Sequence, residues 1–188
     1  MKLLRPEDFR TTAWKNGGGI THVIAHAEED GRTLWRLSIA EVASDGAFSV
    51  FEGLTRILTV IDGEGLDLRT PDGVLPARPL NPVRFHGECP VDARLAGGPV
   101  RDVNVMFDAS RAAATVEILT GPVRTAIDGS ETAMCLALRG DVAVDGAAVP
   151  SGSAALGQRL GAELAPGGLA LAVRIDRIAD SNGRDAGN

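Results

Sequence analysis

The chain has only two cysteines in 188 residues. Cys89 and Cys135 stand alone, with no C-x-x-C and no histidine pair beside them, so neither a disulfide framework nor a zinc site is expected. Clustered positive charge is also missing: 19 Lys and Arg are scattered among 25 Asp and Glu, for a formal net charge of −6. Nucleic acid asks for a basic stripe and is therefore not expected as a partner. No apolar run is long enough to span a bilayer, and Met1-Lys2-Leu3-Leu4-Arg5-Pro6-Glu7-Asp8 turns charged before an apolar leader can form. A cytoplasmic protein with no membrane partner is the expectation. Nucleophilic catalysis finds no G-x-S-x-G elbow and no activating neighbour for either cysteine, and nothing points to the paired carboxylates of a glycosidase. Long amphipathic helices are absent; the alanine-rich piece from Ala109 to Ala114 reads as a helical turn at most.

What is present is hydrophobic content of 44%, with turn chemistry that repeats. The length suits one ordinary domain or two small ones sharing a core. Asp-Gly pairs occur at Asp30-Gly31, Asp45-Gly46, Asp62-Gly63, Asp72-Gly73, Asp128-Gly129 and Asp145-Gly146, and this dipeptide supplies the positive φ angles of tight hairpins. Between them lie short alternating segments. From Leu34 to Val42, Trp35, Leu37 and Ile39 share one face while Arg36, Ser38 and Ala40 share the other. Many short strands separated by turn signals predict an all-β sandwich or barrel.

The most distinctive stretch is Trp14-Lys15-Asn16-Gly17-Gly18-Gly19-Ile20-Thr21. Successive glycines cost entropy and bury no side chain, so they serve where the backbone turns sharply or approaches something closely. Neither phosphate-loop pattern is present, and the segment after the glycines reads as a strand where a phosphate loop needs a helix N-terminus. A nucleotide site is excluded. Trp14, Lys15, Asn16 and Thr21 supply apolar area, a cation and hydrogen-bonding groups suited to a small polar ligand.

An internal echo suggests two copies of one β unit. Ile57 to Gly63, Leu66 to Leu68, Asp72-Gly73 and Pro76 recur in style as Met134 to Gly140, Val142 to Val144, Asp145-Gly146 and Pro150. The expected division is 1–110 for a first unit carrying the site motifs, 111–180 for a second, smaller scaffold unit, and 181–188 for a mobile tail.

The run from Gly46 to Gly63 resembles the first motif of the cupin superfamily, small double-stranded β-barrels that hold a metal on two histidines and a glutamate. Here the glutamate slot falls on Arg56 and the histidine slots on or near Val50 and Glu52. A guanidinium is no ligand for a divalent cation, and His22, His26 and His86 do not rebuild the cluster. No metal and no cofactor are expected. Positive charge takes the metal's place, because Arg36, Arg56 and Lys15 can converge on one mouth, where a planar Arg fork suits a carboxylate. The competing reading leaves both arginines exposed and paired with acids. A second cluster runs through Phe85-His86-Gly87-Glu88 and Asp102 to Phe107. Asp102, Asn104 and Met106 share one strand face, and that face meets water, a hydrogen-bond network or a ligand.

Five motifs in order, Trp14 to Thr21, Trp35 to Ala40, Gly46 to Arg56, Phe85 to Glu88 and Asp102 to Met106, resemble the HutD/Ves family over about Leu3 to Phe107. The chain departs from the family pattern with Ala47 and Glu52 where proline is frequent. The resemblance implies a bicupin, usually dimeric and metal-free. It further implies binding of a small carboxylate of the formylglutamate or urocanate class, in a protein that moderates histidine breakdown. The ligand-site residues expected on these grounds are Trp14, Lys15, Asn16, Gly17, Gly18, Thr21, Arg36, Ser38, Phe48, Ser49, Arg56, Phe85, Asp102 and Asn104, with no catalytic residue among them. The alternative is a metal-independent enzyme on a small polar acid, with His86, Glu52 or Asp102 as its acid or base.

Overall fold

The structure, a computed structural model, describes residues 1–14 and 17–178. Lys15, Asn16 and the expected tail lie outside them. In chain order the strands are β1 (Lys2–Leu4), β2 (Arg10–Ala13), β3 (Gly19–Glu29), β4 (Arg32–Val42), β5 (Gly46–Ala47) and β6 (Leu54–Asp62). There follow β7 (Leu66–Thr70), β8 (Gly73–Ala77), β9 (Val83–His86), β10 (Asp92–Leu95) and β11 (Val100–Asp108). The remainder are β12 (Ala112–Thr120), β13 (Val123–Arg139), β14 (Val142–Val144), β15 (Ala147–Ala148), β16 (Ala154–Leu164) and β17 (Leu169–Arg177). Apart from one short 3-10 turn at Pro6–Asp8, the described residues contain no helix. The protein is all-β.

Three sheets form. A six-stranded sheet runs β2-β3-β4-β11-β6-β9, a four-stranded one β5-β10-β7-β8, and a seven-stranded one β12-β17-β13-β16-β14-β15, with β1 added on β16. The first strand of the chain thus hydrogen-bonds into the sheet built by the last third.

Period-two alternation decides how the sheets stack. On β4 and β11, Trp35, Leu37, Ile39, Val103, Val105 and Phe107 pack against Met134, Leu136, Leu171, Val173 and Ile175 of the seven-stranded sheet. Each such leucine, fully buried, contributes about 1.5–3 kcal/mol. The opposite face of the six-stranded sheet turns toward the four-stranded one, where Leu58 and Val60 meet Leu66, Leu68 and Ala93. A third apolar cluster, which includes Cys135, fills the interior of the seven-stranded sheet. Burial there pushes the Cys135 thiol up to about 12, which leaves it an inert core residue.

Three of the six Asp-Gly pairs close hairpins, Asp30-Gly31, Asp72-Gly73 and Asp145-Gly146, while Asp45-Gly46 and Asp62-Gly63 join strands of different sheets. Asp30 and Gly31 both have positive φ between β3 and β4, as do Asp145 and Gly146 between β14 and β15. The two echoing segments become β6-β7-β8 and β13-β14-β15. Two local signals are overruled. Asp128-Gly129 lies inside β13, where the ladder to β16 slips between Asp128 and Ala133. Ala112 to Ala114, expected as part of a helical turn, begins β12, which pairs with β17 along nine residues. In both places pairing with distant strands outweighs a weak local preference.

Candidate functional site

The inner face of the six-stranded sheet is a grid set by strand register. One row runs His26, Arg36, Met106, Arg56, Phe85 across β3, β4, β11, β6 and β9. The next runs Arg10, Val23, Ser38, Asn104, Leu58, and a third runs Thr12, Thr21, Ala40, Asp102, Val60. Directly opposed residues on antiparallel strands point to the same face. Arg36 and Arg56 therefore stand two strand spacings apart, roughly 10 Å at the backbone, with Met106 between them.

This grid floors a chamber of about 60 Å³ whose walls include Trp14, Phe48, Ser49 and Phe51. By the volume a single water needs, that is room for roughly four waters or one carboxylate group. A wider vestibule of about 720 Å³ opens beside it, sharing Trp14, Thr21, Arg36, Phe48, Ser49 and Phe51 and adding Arg10, Thr12, His26, Glu28 and Thr33.

Arg56 is the centre of the chamber. It is only 4% exposed, and its guanidinium lies 5.3, 5.5 and 5.0 Å from the ring centroids of Phe48, Phe51 and Phe85. One Nη donates to Asn104 Oδ1 at 2.6 Å, while the buried Nε has no partner. Burial lowers its pKa to about 10, with the Asp102 charge opposing that shift and Arg36 adding to it. Asn104 in turn donates from Nδ2 to Asp102 Oδ1. The carboxamide thus sits between the guanidinium and the carboxyl, and among the described residues Arg56 makes no ion pair. Asp102 is fully buried, its Oδ2 lacks a partner, and burial raises its pKa to about 7 against the pull of Arg56 and the Asn104 hydrogen bond. Arg36 is half-buried with an unpartnered Nε; burial first, and then Arg10, lowers its pKa.

The glycine motif shapes the mouth. Trp14 stacks edge-on against Phe48 with centroids 5.8 Å apart and donates from Nε1 to Thr21 Oγ1 at 2.8 Å. Its indole lies against Gly19, where an added Cβ would fall 3.1 Å from the ring and 2.4 Å from the Glu41 carbonyl oxygen. Gly17 takes φ +71°, and the Gly18 carbonyl accepts from Ala43 N–H at 3.0 Å. Gly19 therefore serves close approach of backbone to indole, and Gly17 a left-handed turn.

Of the residues expected from sequence, Trp14, Thr21, Arg36, Ser38, Phe48, Ser49, Arg56, Asp102 and Asn104 line the chamber. Phe85 backs it through Arg56, Gly17 and Gly18 line neither the chamber nor the vestibule, and Lys15 and Asn16 lie outside the described residues. The reading of Arg36 and Arg56 as exposed, acid-paired surface arginines is overturned. Glu52 is exposed. His86 is exposed as well, and neither lines the chamber. Sequence reasoning missed Phe51, which sits in irregular backbone with no period to read. It also missed Arg10, which reaches the vestibule only through the pairing of β2 with β3.

The family described as HutD matches residues 6–176. The chain belongs to the HutD family. An uncharacterized 21.2 kDa protein of the hutC 3′ region of Pseudomonas putida is 40% identical over 129 residues, 66% of this chain and 67% of that one. Protein Ves of Escherichia fergusonii is 34% identical over 108 residues, and the alignment covers just over half, 56%, of each chain. The solved structure of HutD from Pseudomonas fluorescens superposes with a TM-score of 0.84 at 27% identity, covering 95% of this chain and 99% of that one. A cupin 2 conserved barrel domain protein from Leptotrichia buccalis, at 10% identity and a TM-score of 0.55 over 88% of this chain and 95% of that one, shares the fold alone. The fold is that of the cupins.

Cupins commonly hold a metal, and the residues here do not fit one. Val50 and Glu52 are exposed, Arg56 occupies the chamber, and the described residues contain no group of three or more His, Cys, Asp or Glu able to hold an ion.

Proposed function

We propose that the chamber binds the carboxylate of a small metabolite of the formylglutamate or urocanate class, and that the protein moderates histidine utilisation through that binding. The observation that carries this reading is Arg56: a guanidinium buried among three aromatic rings, held by one hydrogen bond to a neutral amide, with Nε unpaired. A buried charge in this state is costly unless an anion completes its shell, and a carboxylate matches the Arg fork. The chamber has room for that one group, so the rest of the ligand extends into the vestibule beside Arg36 and Arg10. The link to histidine breakdown rests on the names of the relatives, HutD and a protein of the hutC region.

Calorimetric titration with formylglutamate, urocanate, glutamate and histidine tests the reading; absence of binding by all four at millimolar concentration would sink it. Light scattering on the purified protein tests the accompanying expectation of a homodimer. A second reading, a metal-independent enzyme on a small acid, is favoured by one observation: a buried carboxyl, Asp102, poised near neutral pH inside a cavity. Incubation with the same metabolites followed by mass spectrometry separates conversion from binding.

A further inference from the structure

Among the described residues, Asp102 is the only acidic side chain lining the chamber, and its setting is at odds with a simple salt-bridge role. The carboxyl does not touch Arg56 directly. Asn104 intervenes, its Oδ1 accepting from the guanidinium and its Nδ2 donating to Asp102 Oδ1. This leaves two complementary vacancies of valence in one small space: an unpartnered N–H on Arg56 and an unpartnered oxygen, Oδ2, on Asp102. A ligand carboxylate satisfies the first as an acceptor. It satisfies the second only if Oδ2 carries a proton, because two ionised carboxyl groups in one buried site repel each other and the pair retains a proton.

We propose that Asp102 engages the ligand as the neutral acid, its Oδ2–H donating to an oxygen of the carboxylate that Arg56 holds, so that at alkaline pH each bound anion brings close to one proton into the protein. The proton comes from solvent and rests on Asp102 Oδ2; no bond of the ligand changes. The charged groups facing Asp102 are consistent with this. Among the described residues, Arg56 on β6 and Arg36 on β4 are the only others lining the chamber. The rim adds Arg10 on β2 and His26 and Glu28 on β3, and the wall of Phe48, Ser49 and Phe51 brings no charge. Full burial already raises the Asp102 pKa to about 7 before any ligand is present. Asp102 is then a specificity residue: it rewards a ligand group that accepts hydrogen bonds at two oxygens.

The proposal rests on the carboxylate-binding reading, and the probe is formylglutamate, which has no group titrating between pH 6 and 9. Calorimetry of the wild-type protein at pH 8, in two buffers of different ionisation enthalpy, should show uptake approaching one proton per ligand. At pH 6 the uptake should fall close to zero, and affinity should weaken by close to tenfold per pH unit above 7. Asp102→Asn keeps a donor at the same place, so it should bind with no proton uptake, and at pH 8 roughly tenfold more tightly than wild type. Wild-type binding without buffer-dependent heat, and with pH-independent affinity, overturns the proposal and leaves the carboxylate reading standing. No wild-type binding in either buffer overturns both. The wild-type measurements decide the matter even if the variant does not fold.

Discussion

Replacing Arg56 by methionine separates a ligand anchor from a structural brace. The side chain is 4% exposed and contacts three aromatic rings and Asn104. Three cation–π contacts of about 0.5–1 kcal/mol each and one charge-assisted hydrogen bond of about 1.5–3 kcal/mol stabilise it by about 4 kcal/mol in all. Removing a guanidinium from water costs several kcal/mol in return, so the two sides nearly cancel. Methionine fills much of the same volume and makes sulfur–aromatic contacts with the same rings. Its one evident penalty is an unpaired Asn104 oxygen, about 1–3 kcal/mol. Arg56→Met should therefore shift the melting temperature by no more than about 10 °C in a chain of this size. Loss of two charge-assisted hydrogen bonds to a carboxylate, about 3–5 kcal/mol, should meanwhile weaken formylglutamate binding by at least about a hundredfold. Arg56→Lys, which keeps charge but loses the fork, should fall between. Differential scanning fluorimetry and calorimetry on the same samples give both numbers. A large loss of stability with affinity nearly untouched would refute the reasoning and make Arg56 a structural residue.

Other substitutions probe the parts around it. Asp102 has a folded pKa raised to about 7 from the ordinary 3.8, so its acid form favours folding by up to about 4 kcal/mol, fully present below pH 4 and lost as pH rises to 7. The melting temperature of Asp102→Asn, relative to wild type, should accordingly climb across that window; a flat difference would contradict the raised pKa. Gly19→Ala places a Cβ 2.4 Å from the Glu41 carbonyl oxygen and 3.1 Å from the Trp14 ring and should cost more than about 2 kcal/mol, with altered Trp14 fluorescence. Gly17→Ala meets no atom within 4 Å but keeps φ +71°, so only the left-handed penalty of about 1–2 kcal/mol applies. Leu37→Ala, fully buried on the face of β4 opposite Arg36 and Ser38, should cost about 2–5 kcal/mol while leaving ligand affinity of the folded protein unchanged.

Much of this protein follows from residue order alone. A strand exposes alternate residues to opposite faces whatever surrounds it, so the separation of Trp35, Leu37 and Ile39 from Arg36, Ser38 and Ala40 was already legible, as was that of Asp102, Asn104 and Met106 from Val103, Val105 and Phe107. Asp30-Gly31 and Asp145-Gly146 predict their hairpins because positive φ is a local property. The five motifs also mark the family without any coordinate.

Tertiary structure decided the remainder. Arg36, Arg56 and Met106 come from strands far apart in sequence, and only their register places the two guanidinium groups across one methionine. The same non-local pairing puts Asn104 between Arg56 and Asp102, gathers Phe48, Phe51 and Phe85 around one cation, and brings Arg10 to the vestibule. Pairing with β16 up to Asp128, and with β17 and β16 again from Thr132 and Ala133 onward, draws Asp128-Gly129 into β13 against its turn preference. Burial raises the pKa of Asp102, and desolvation depends on every atom that excludes water, which no sequence pattern records. Composition and period thus determine which residues face inward; which of them meet, and in what charge state, is set by long-range register and the loss of solvent.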